Sequence, residues 1–141
     1  MPQSNLVAID TTTWDVLVVD NEPFNLELVQ DALAFFNIRC ETAESGAIAL
    51  EKFVCQKPNL VLLDLSMPGL DGWQTKDAMR VLSPDRRVVA IAFTAHAMPN
   101  DRKRALESGF DGYLVKPIEI ERIVGEIRTI IDNVMVTAPH G

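Results

Sequence analysis

Four polar residues stand directly after apolar runs of strand length, and their types suit phosphoryl transfer to a carboxylate. They are Asp20, Asp64, Thr94 and Lys116. A carboxylate that attacks phosphorus forms an aspartyl phosphate, a known covalent use of this side chain. Asp64 is the predicted nucleophile. The Thr94 hydroxyl would donate a hydrogen bond to one phosphoryl oxygen, and Lys116 would pair with another as a point charge.

The same positions predict a magnesium site. A carboxylate that attacks an anionic phosphoryl group needs its charge neutralised, and Mg²⁺, held by one or two carboxylates and several waters, is the usual agent. Asp20 and Asp64 are the predicted carboxylate ligands. For any one residue a plain structural role is equally open, since such an Asp is often only a helix cap and an Asp–Lys pair only a salt bridge. The coincidence of four matching positions favours the site.

Strands and helices alternate along the chain and would position these residues. The strand-like runs cover 16–19, 38–42, 60–63, 88–93 and 113–115. Runs that are apolar at every position indicate strands covered on both faces, as in a parallel sheet. The predicted fold is α/β, a flavodoxin-like doubly wound (βα)5 domain with a five-stranded parallel sheet of order 2-1-3-4-5. Its ligand crevice would lie at the carboxyl ends of the first and third strands.

Five segments of helical period separate and follow these runs. The residues that indicate them are Leu26, Val29, Leu33 and Phe36 for the first helix, Ile48 and Phe53 for the second, Met79 and Leu82 for the third after Gly72, 99–108 for a short charged fourth, and Ile120, Ile123, Val124, Ile127, Ile130, Ile131 and Val134 for the last. All seven apolar residues of the last helix are expected to face the core. We predict an N-terminal arm over 1–14, one domain over 15–134 and a frayed tail over 135–141.

Composition narrows the range of partners and compartments. The 141 residues carry a net charge of −7 with a pI near 4.7, which argues against direct binding of nucleic acid or of anionic lipid. No run is long enough to span a membrane and residues 1–14 do not form a secretion signal, so a cytoplasmic location is expected. Cys40 and Cys55 have no metal-site spacing, and we predict both to be small buried hydrophobes rather than a redox pair.

Four segments around the polar residues resemble the receiver domain of bacterial two-component response regulators, the chemotaxis regulators among them. The segments are VLVVDNEP, LVLLDLSMPGLDGW, AIAFTA and GYLVKP, and the resemblance runs from about residue 15 to residue 134. It implies a phosphoprotein of a phosphorelay whose Asp64 accepts a phosphoryl group from a sensor histidine kinase or a histidine phosphotransfer protein, with Mg²⁺. The backbone carbonyl of Ser66 would be a further metal ligand. Such a protein is not an enzyme beyond its own aspartyl phosphorylation and dephosphorylation.

One position departs from the family pattern. The family usually carries two acidic residues after the first strand, and here the second is Asn21. Its amide oxygen can still face a metal, but one negative charge is lost, which predicts weaker Mg²⁺ binding. Glu22 would compensate only if its side chain turned inward. A solvent-facing Glu in the first helical turn is the favoured interpretation.

The resemblance also implies a route from phosphate to output. Tyr113 matches an aromatic that moves inward as Thr94 is drawn toward the phosphoryl group, and the surface of helix four, strand five and helix five would then contact a downstream protein. Tyr113 as a plain half-buried strand aromatic stays open. Ser66 and His96 match positions that tune hydrolysis, although His96 as an ordinary loop histidine is equally open.

Other functions stay open beside a stand-alone receiver. A degenerate receiver would bind proteins without being phosphorylated, with Asn21 as its support. A phosphatase with an aspartyl intermediate would place a second acid where Ser66 stands, and a flavin carrier would need a phosphate-cradling loop where Asp20 and Asn21 stand. Arg102, Lys103 and Arg104 form either a basic docking patch or a solvated helix face. The chain as a piece of a larger regulator is also open.

Overall fold

Five parallel strands alternate with five helices in the part of the chain that the structure, a computed structural model, describes. The described residues are 13–85, 87–95, 98–117 and 119–137, without the side chains of 135–137. The elements are β1 (Asp15–Val19), α1 (Pro23–Phe35), β2 (Arg39–Ala43), α2 (Gly46–Gln56), β3 (Leu60–Leu63), α3 (Gly72–Leu82), β4 (Val89–Thr94), α4 (Asp101–Glu107), β5 (Gly112–Val115) and α5 (Ile120–Thr137).

The strands form one sheet of order β2-β1-β3-β4-β5 with every pair parallel, as the sequence predicts. Val19 lies opposite Leu63 in the β1–β3 register, so the next residues, Asp20 and Asp64, leave the sheet side by side. The Asp64 N–H still donates to the Val19 carbonyl over 2.9 Å. The ladder therefore fixes the backbone up to both carboxylates.

The core has two layers, one on each face of the sheet. Alternate residues of β1 point to opposite faces, so Val16 and Val18 pack with α1 and α5 while Leu17 and Val19 pack with α2, α3 and α4. β3 and β4 are buried at every position, and the edge strand β2 is not. The continuous apolar runs thus mark the central strands, as expected for a sheet covered on both faces.

Helix α3 follows the loop after β3, and Asp71 is its N-cap. The Asp71 side chain accepts from the Gln74 N–H at 2.8 Å and the Gln74 side chain accepts from the Asp71 N–H at 3.0 Å, a reciprocal capping box. The next residue, Gly72, packs against backbone: a Cβ there would come within 2.3 Å of the Asp64 carbonyl oxygen. Only glycine fits so close to the Asp64 backbone.

Several residues predicted for the core are exposed. Ile48 is 40% exposed, Leu82 49% and Ile120 39%, because each lies at the margin of its helix's apolar stripe. Ile130 is half-buried, so the expectation that seven residues of α5 face the core is wrong for Ile120 and only partly right for Ile130. The remaining five are buried.

Some boundaries and one cysteine also differ from expectation. Trp14, placed in the N-terminal arm, is buried in the core, and α5 continues through Thr137 into the predicted tail. Residues 1–12 and 138–141 lie outside the described residues. Cys55 is exposed, which corrects its predicted burial, because it lies on the outer face of α2. Cys40 is half-buried, and burial raises its pKa to about 12.

Among the described helices, none combines the length and the apolar character that crossing a membrane requires.

Candidate functional site

The four polar residues predicted from the sequence meet at the carboxyl edge of the sheet. Asp20 follows β1, Asp64 follows β3, Thr94 ends β4 and Lys116 follows β5. Asp20, Asp64 and Thr94 are 2%, 7% and 1% exposed, unusual values for polar groups. The parallel topology brings these strand ends together, and their functional roles remain predictions.

Lys116 connects the two carboxylates. Its ammonium contacts the Asp20 Oδ2 closely and lies 3.5 Å from the Asp64 Oδ2. The Lys116 N–H donates to the Thr94 carbonyl at 2.9 Å, which continues the β4–β5 ladder and aims the side chain across β4. Two carboxylates and one ammonium leave this buried cluster with a net charge of −1 when all three are ionised.

Each carboxylate has its second oxygen held by the backbone. The Asp20 Oδ1 accepts from the Glu22 N–H at 2.9 Å, and the Asp64 Oδ1 accepts from the Ser66 N–H at 3.2 Å. Both carboxylates are therefore oriented by the loop that follows them, with Oδ2 toward Lys116. Such preorganisation suits a nucleophile that must meet phosphorus in a fixed direction.

The Asp64 pKa lies above the ordinary value for this group. Burial is the main cause, since desolvation disfavours the charged form, and the nearby Asp20 carboxylate raises the pKa further. Lys116 and the Ser66 N–H act in the opposite direction. A second cation would relieve this unfavourable environment.

The site fits Mg²⁺ by the chemistry of its donors. Asp20 and Asp64 supply hard carboxylate oxygens and the half-buried Asn21 stands beside them. The residues that the structure describes contain no cluster of three or more carboxylate, thiol or imidazole groups, so a metal here depends on two carboxylates, carbonyls and waters. Glu22 is exposed, and its backbone N–H, not its carboxylate, bonds to Asp20. Its side chain therefore does not replace the missing second acid.

Tyr113 is buried beside the site. It is 8% exposed and packs in the layer of α2, α3 and α4. Tyr113 is therefore more deeply buried than the half-buried strand aromatic that the sequence left open. Its hydroxyl has no hydrogen-bond partner among the described residues, and its pKa is raised by burial and by Asp101 at the start of α4. Ser66 and His96 were both predicted to tune hydrolysis. Ser66 is exposed, and His96 lies outside the described residues.

One feature beside the site escaped the sequence analysis. A cavity of about 210 Å³ lies between α1, β4 and α5, with Lys116 in its wall. Phe24, at the start of α1, lines it and is 71% exposed. Phe24 lies off the apolar stripe of α1. A large apolar residue outside the stripe was the sequence feature that could have indicated this surface.

Fold and site together define a class, the doubly wound α/β proteins with an acidic site at the carboxyl edge of the sheet. The sequence profile of the response regulator receiver domain matches residues 16–128. The chain belongs to this family, which is a signalling module of two-component systems.

The relatives are longer proteins that contain such a module. Sensor histidine kinase GacS of Pseudomonas protegens is 37% identical over 115 residues, 79% of this chain and 12% of that protein. Sensor histidine kinase RcsC of Escherichia coli K12 is 32% identical over 123 residues, 87% of this chain and 13% of that protein. The chain spans about an eighth of the length of these relatives.

Solved structures agree with the fold. Chemotaxis protein CheY4 of Vibrio cholerae superposes with a TM-score of 0.77 at 25% identity, over 83% of this chain and 98% of that chain. A receiver domain protein of Clostridium thermocellum gives 0.74 at 24% identity, over 87% of this chain and 98% of that chain.

Proposed function

We propose that this protein is a phosphorylation-dependent switch in which Asp64 accepts a phosphoryl group from a sensor histidine kinase or a histidine phosphotransfer protein. The observation that carries the proposal is the buried arrangement of Asp64, Lys116 and Asp20 at the carboxyl edge of the sheet. A buried carboxylate with a lysine within reach and a second carboxylate beside it suits phosphoryl transfer to aspartate.

The step forms one bond and breaks one. An Asp64 carboxylate oxygen attacks phosphorus, the phosphorus–nitrogen bond of the phosphohistidine breaks, and the imidazole departs with the bonding electron pair and takes up a proton. Lys116 holds a phosphoryl oxygen, and the buried Thr94 donates its hydroxyl to another. When bound, Mg²⁺ neutralises charge on the phosphoryl oxygens; Asp20 and Asp64, with the Ser66 carbonyl and the Asn21 amide oxygen, would hold it.

The new charge is what drives the output. The phosphoryl group carries roughly −1.5 to −2 charges at neutral pH in place of the single carboxylate charge of Asp64, so Lys116 is drawn from Asp20 toward it and Thr94 follows. Tyr113 lies on the strand that leads into Lys116, and burial and the Asp101 carboxylate of α4 raise the pKa of its hydroxyl. Movement there alters the surface of α4, β5 and α5, where we place the downstream protein.

The phosphodonor approaches from the side of α1. The exposed Phe24 and the apolar cavity next to Lys116 form an apolar surface at the rim of the site. A phosphodonor that docks on this surface lies next to Lys116, and apolar contact there gives the complex affinity without using the carboxylates.

The test is the intact mass of the protein after incubation with acetyl phosphate, with and without Mg²⁺. We expect a single phosphoryl adduct that needs Mg²⁺, and none in Asp64→Asn, with Asp71→Asn as a matched control that keeps the adduct. Absence of an adduct in the folded parent with excess Mg²⁺ would contradict the proposal and favour a degenerate receiver that binds proteins without phosphorylation.

A further inference from the structure

Three residues of α3 reach across to the end of α4. Trp73, Lys76 and Arg80 are three and four positions apart, which places them on one face of the helix. We call them, with their partners, the α3–α4 clasp, which comprises Trp73, Lys76 and Arg80 on α3 and Arg104, Ser108 and Phe110 opposite them. Nothing in the phosphoryl-transfer chemistry uses these residues.

The Trp73 ring is held from two sides. It meets the Phe110 ring edge to face with centroids 5.7 Å apart, and the Arg104 guanidinium lies 4.5 Å from the Trp73 centroid. A guanidinium over an indole is a favourable cation–π arrangement, and tryptophan is the best partner for it. The exposed Arg104 therefore contacts α3 through Trp73. At this residue the basic face of α4 is not simply solvated.

Lys76 is a buried cation, 3% exposed. Its ammonium donates to the Ser108 carbonyl, which caps the C-terminus of α4, and pairs with Asp77 at 2.6 Å. Burying an ammonium is costly unless it is paired and hydrogen-bonded. The C-terminal end of a helix carries partial negative charge, which favours a cation there. Lys76 is thus anchored to the end of α4 and not to its own helix alone.

Arg80 binds the backbone before β4 and the turn before β5. Its guanidinium donates to the Val88 carbonyl at 2.7 Å and to the Gly109 carbonyl at 3.0 Å, and it pairs with Asp111 at 3.2 Å. The turn from α4 into β5 is therefore tied to α3 by backbone contacts as well as by charge. Helix α4 spans only seven residues, too few to be stable without such contacts.

The other end of α3 rests on the phosphoacceptor segment. The Gly72 N–H donates to the Leu65 carbonyl at 3.2 Å, and the Cα of Gly72 lies so near the Asp64 carbonyl that no Cβ fits. Helix α3 therefore spans from the backbone of Asp64 to the end of α4. This path lies in the same core layer as Tyr113.

We propose that the α3–α4 clasp holds α4 in its resting position, and that its strength sets how readily the site adopts the activated arrangement. The inference rests on the proposed function, which it extends from the site to its regulation. The proposed output alters the position of α4, so a clasp that opposes this movement lowers the affinity of Asp64 for a phosphoryl group or an analogue of it. Weakening the clasp then raises that affinity, since coupling between two sites is reciprocal.

The test uses Arg104→Ala, which leaves Trp73 without its cation, and Lys76→Met, which keeps a long side chain without the ammonium. Arg102→Ala, exposed on the same helix, is the matched control. Two quantities are measured: hydrogen exchange of the α4 amides, and the affinity for beryllofluoride, a phosphoryl analogue, with Mg²⁺. We expect both test variants to show exchange and affinity raised about fivefold or more, with the control at the parent values.

Three results would overturn the inference. Unchanged exchange in both test variants would show that the clasp does not hold α4. Faster exchange with unchanged beryllofluoride affinity would show a purely structural contact. A parent protein that binds no beryllofluoride would contradict the proposed function itself, and the coupling with it. This failure is distinguishable because it is seen in the parent without any variant. If Lys76→Met does not fold, Arg104→Ala, a change on the surface, decides.

Discussion

The Lys116 ammonium lies 3.5 Å from the Asp64 carboxylate although their strands, β5 and β3, are separated by β4 in the sheet. Lys116 reaches across the end of β4 and goes on to contact Asp20 at the end of β1. The side chains of Lys116, Asp64 and Asp20 therefore meet from the ends of β5, β3 and β1 and place three charges in one buried cluster. The pKa of Asp64 is set by its burial, which raises it, and by the opposing effect of Lys116, which lowers it.

Removal of the Lys116 charge should raise the Asp64 pKa further. Lys116 is the principal group that lowers this pKa, whereas burial and Asp20 raise it. We expect Lys116→Met to move the Asp64 titration to higher pH in carboxyl-detected NMR. Lys52→Met is the matched control, since Lys52 bonds to the Thr42 carbonyl near the sheet edge but away from the site. An Asp64 titration at the parent pH in Lys116→Met would contradict the account.

Asp64 should cost the protein stability at neutral pH. Its folded-state pKa lies above the ordinary value of 3.8, so between 3.8 and the raised pKa the folded state binds more protons than the unfolded state. Stability therefore falls as pH rises through that window and stays lower above it. We expect Asp64→Asn to have a higher urea midpoint than the parent at pH 7, with the gap closing below pH 3.8.

Asp132→Asn, a change on the exposed face of α5, is the control for that comparison and should leave the midpoint unchanged. A parent that is as stable as Asp64→Asn at pH 7 would mean that Lys116 compensates fully for burial, contrary to the direction of the Asp64 pKa.

The sequence was sufficient for the sheet and for the four polar strand ends, because parallel strands place their carboxyl ends at one edge whatever the details of packing. It was less reliable where burial depends on the far side of a helix. The periodicity of α5 includes Ile120, yet Ile120 is exposed because it is the first residue of the helix, at the margin of the apolar stripe. Lys76 was also missed, since its partner Ser108 is 32 residues away and no local pattern indicates a buried cation.

Gly72 and Gly125 should respond to alanine in opposite directions. A Cβ on Gly72 would come within 2.3 Å of the Asp64 carbonyl oxygen, whereas a Cβ on Gly125 meets nothing within 4 Å. We expect Gly72→Ala to lower the free energy of unfolding by about 1–3 kcal/mol, as overpacking does, and to disturb the site. Gly125→Ala should raise it by about 0.5–1 kcal/mol, the cost of glycine inside a helix. Urea unfolding of both variants checks this, and losses of equal size would contradict the close approach at Gly72.

Asn21 should weaken the magnesium site. Asn21→Asp adds a negative charge next to Asp20, and one charge a few ångströms away is worth more than a kcal/mol even at a surface-like dielectric. We expect Mg²⁺ to bind Asn21→Asp about tenfold more tightly or better, measured by calorimetric titration. Asn25→Asp, in the first turn of α1, is the matched control and should stay near the parent affinity. Equal affinities in Asn21→Asp and the parent would mean that position 21 does not face the metal.

The most direct test of the central claim is to locate the phosphoryl group. The protein is phosphorylated with acetyl phosphate and Mg²⁺, the acyl phosphate is reduced with borohydride, and the peptides are sequenced by mass spectrometry for the resulting homoserine. Asp64 is the predicted position, since Lys116 engages Asp20 more closely and leaves Asp64 the freer nucleophile. Homoserine at residue 64 alone is the result that the account predicts. Homoserine at residue 20, or at no position in a folded protein, would contradict it.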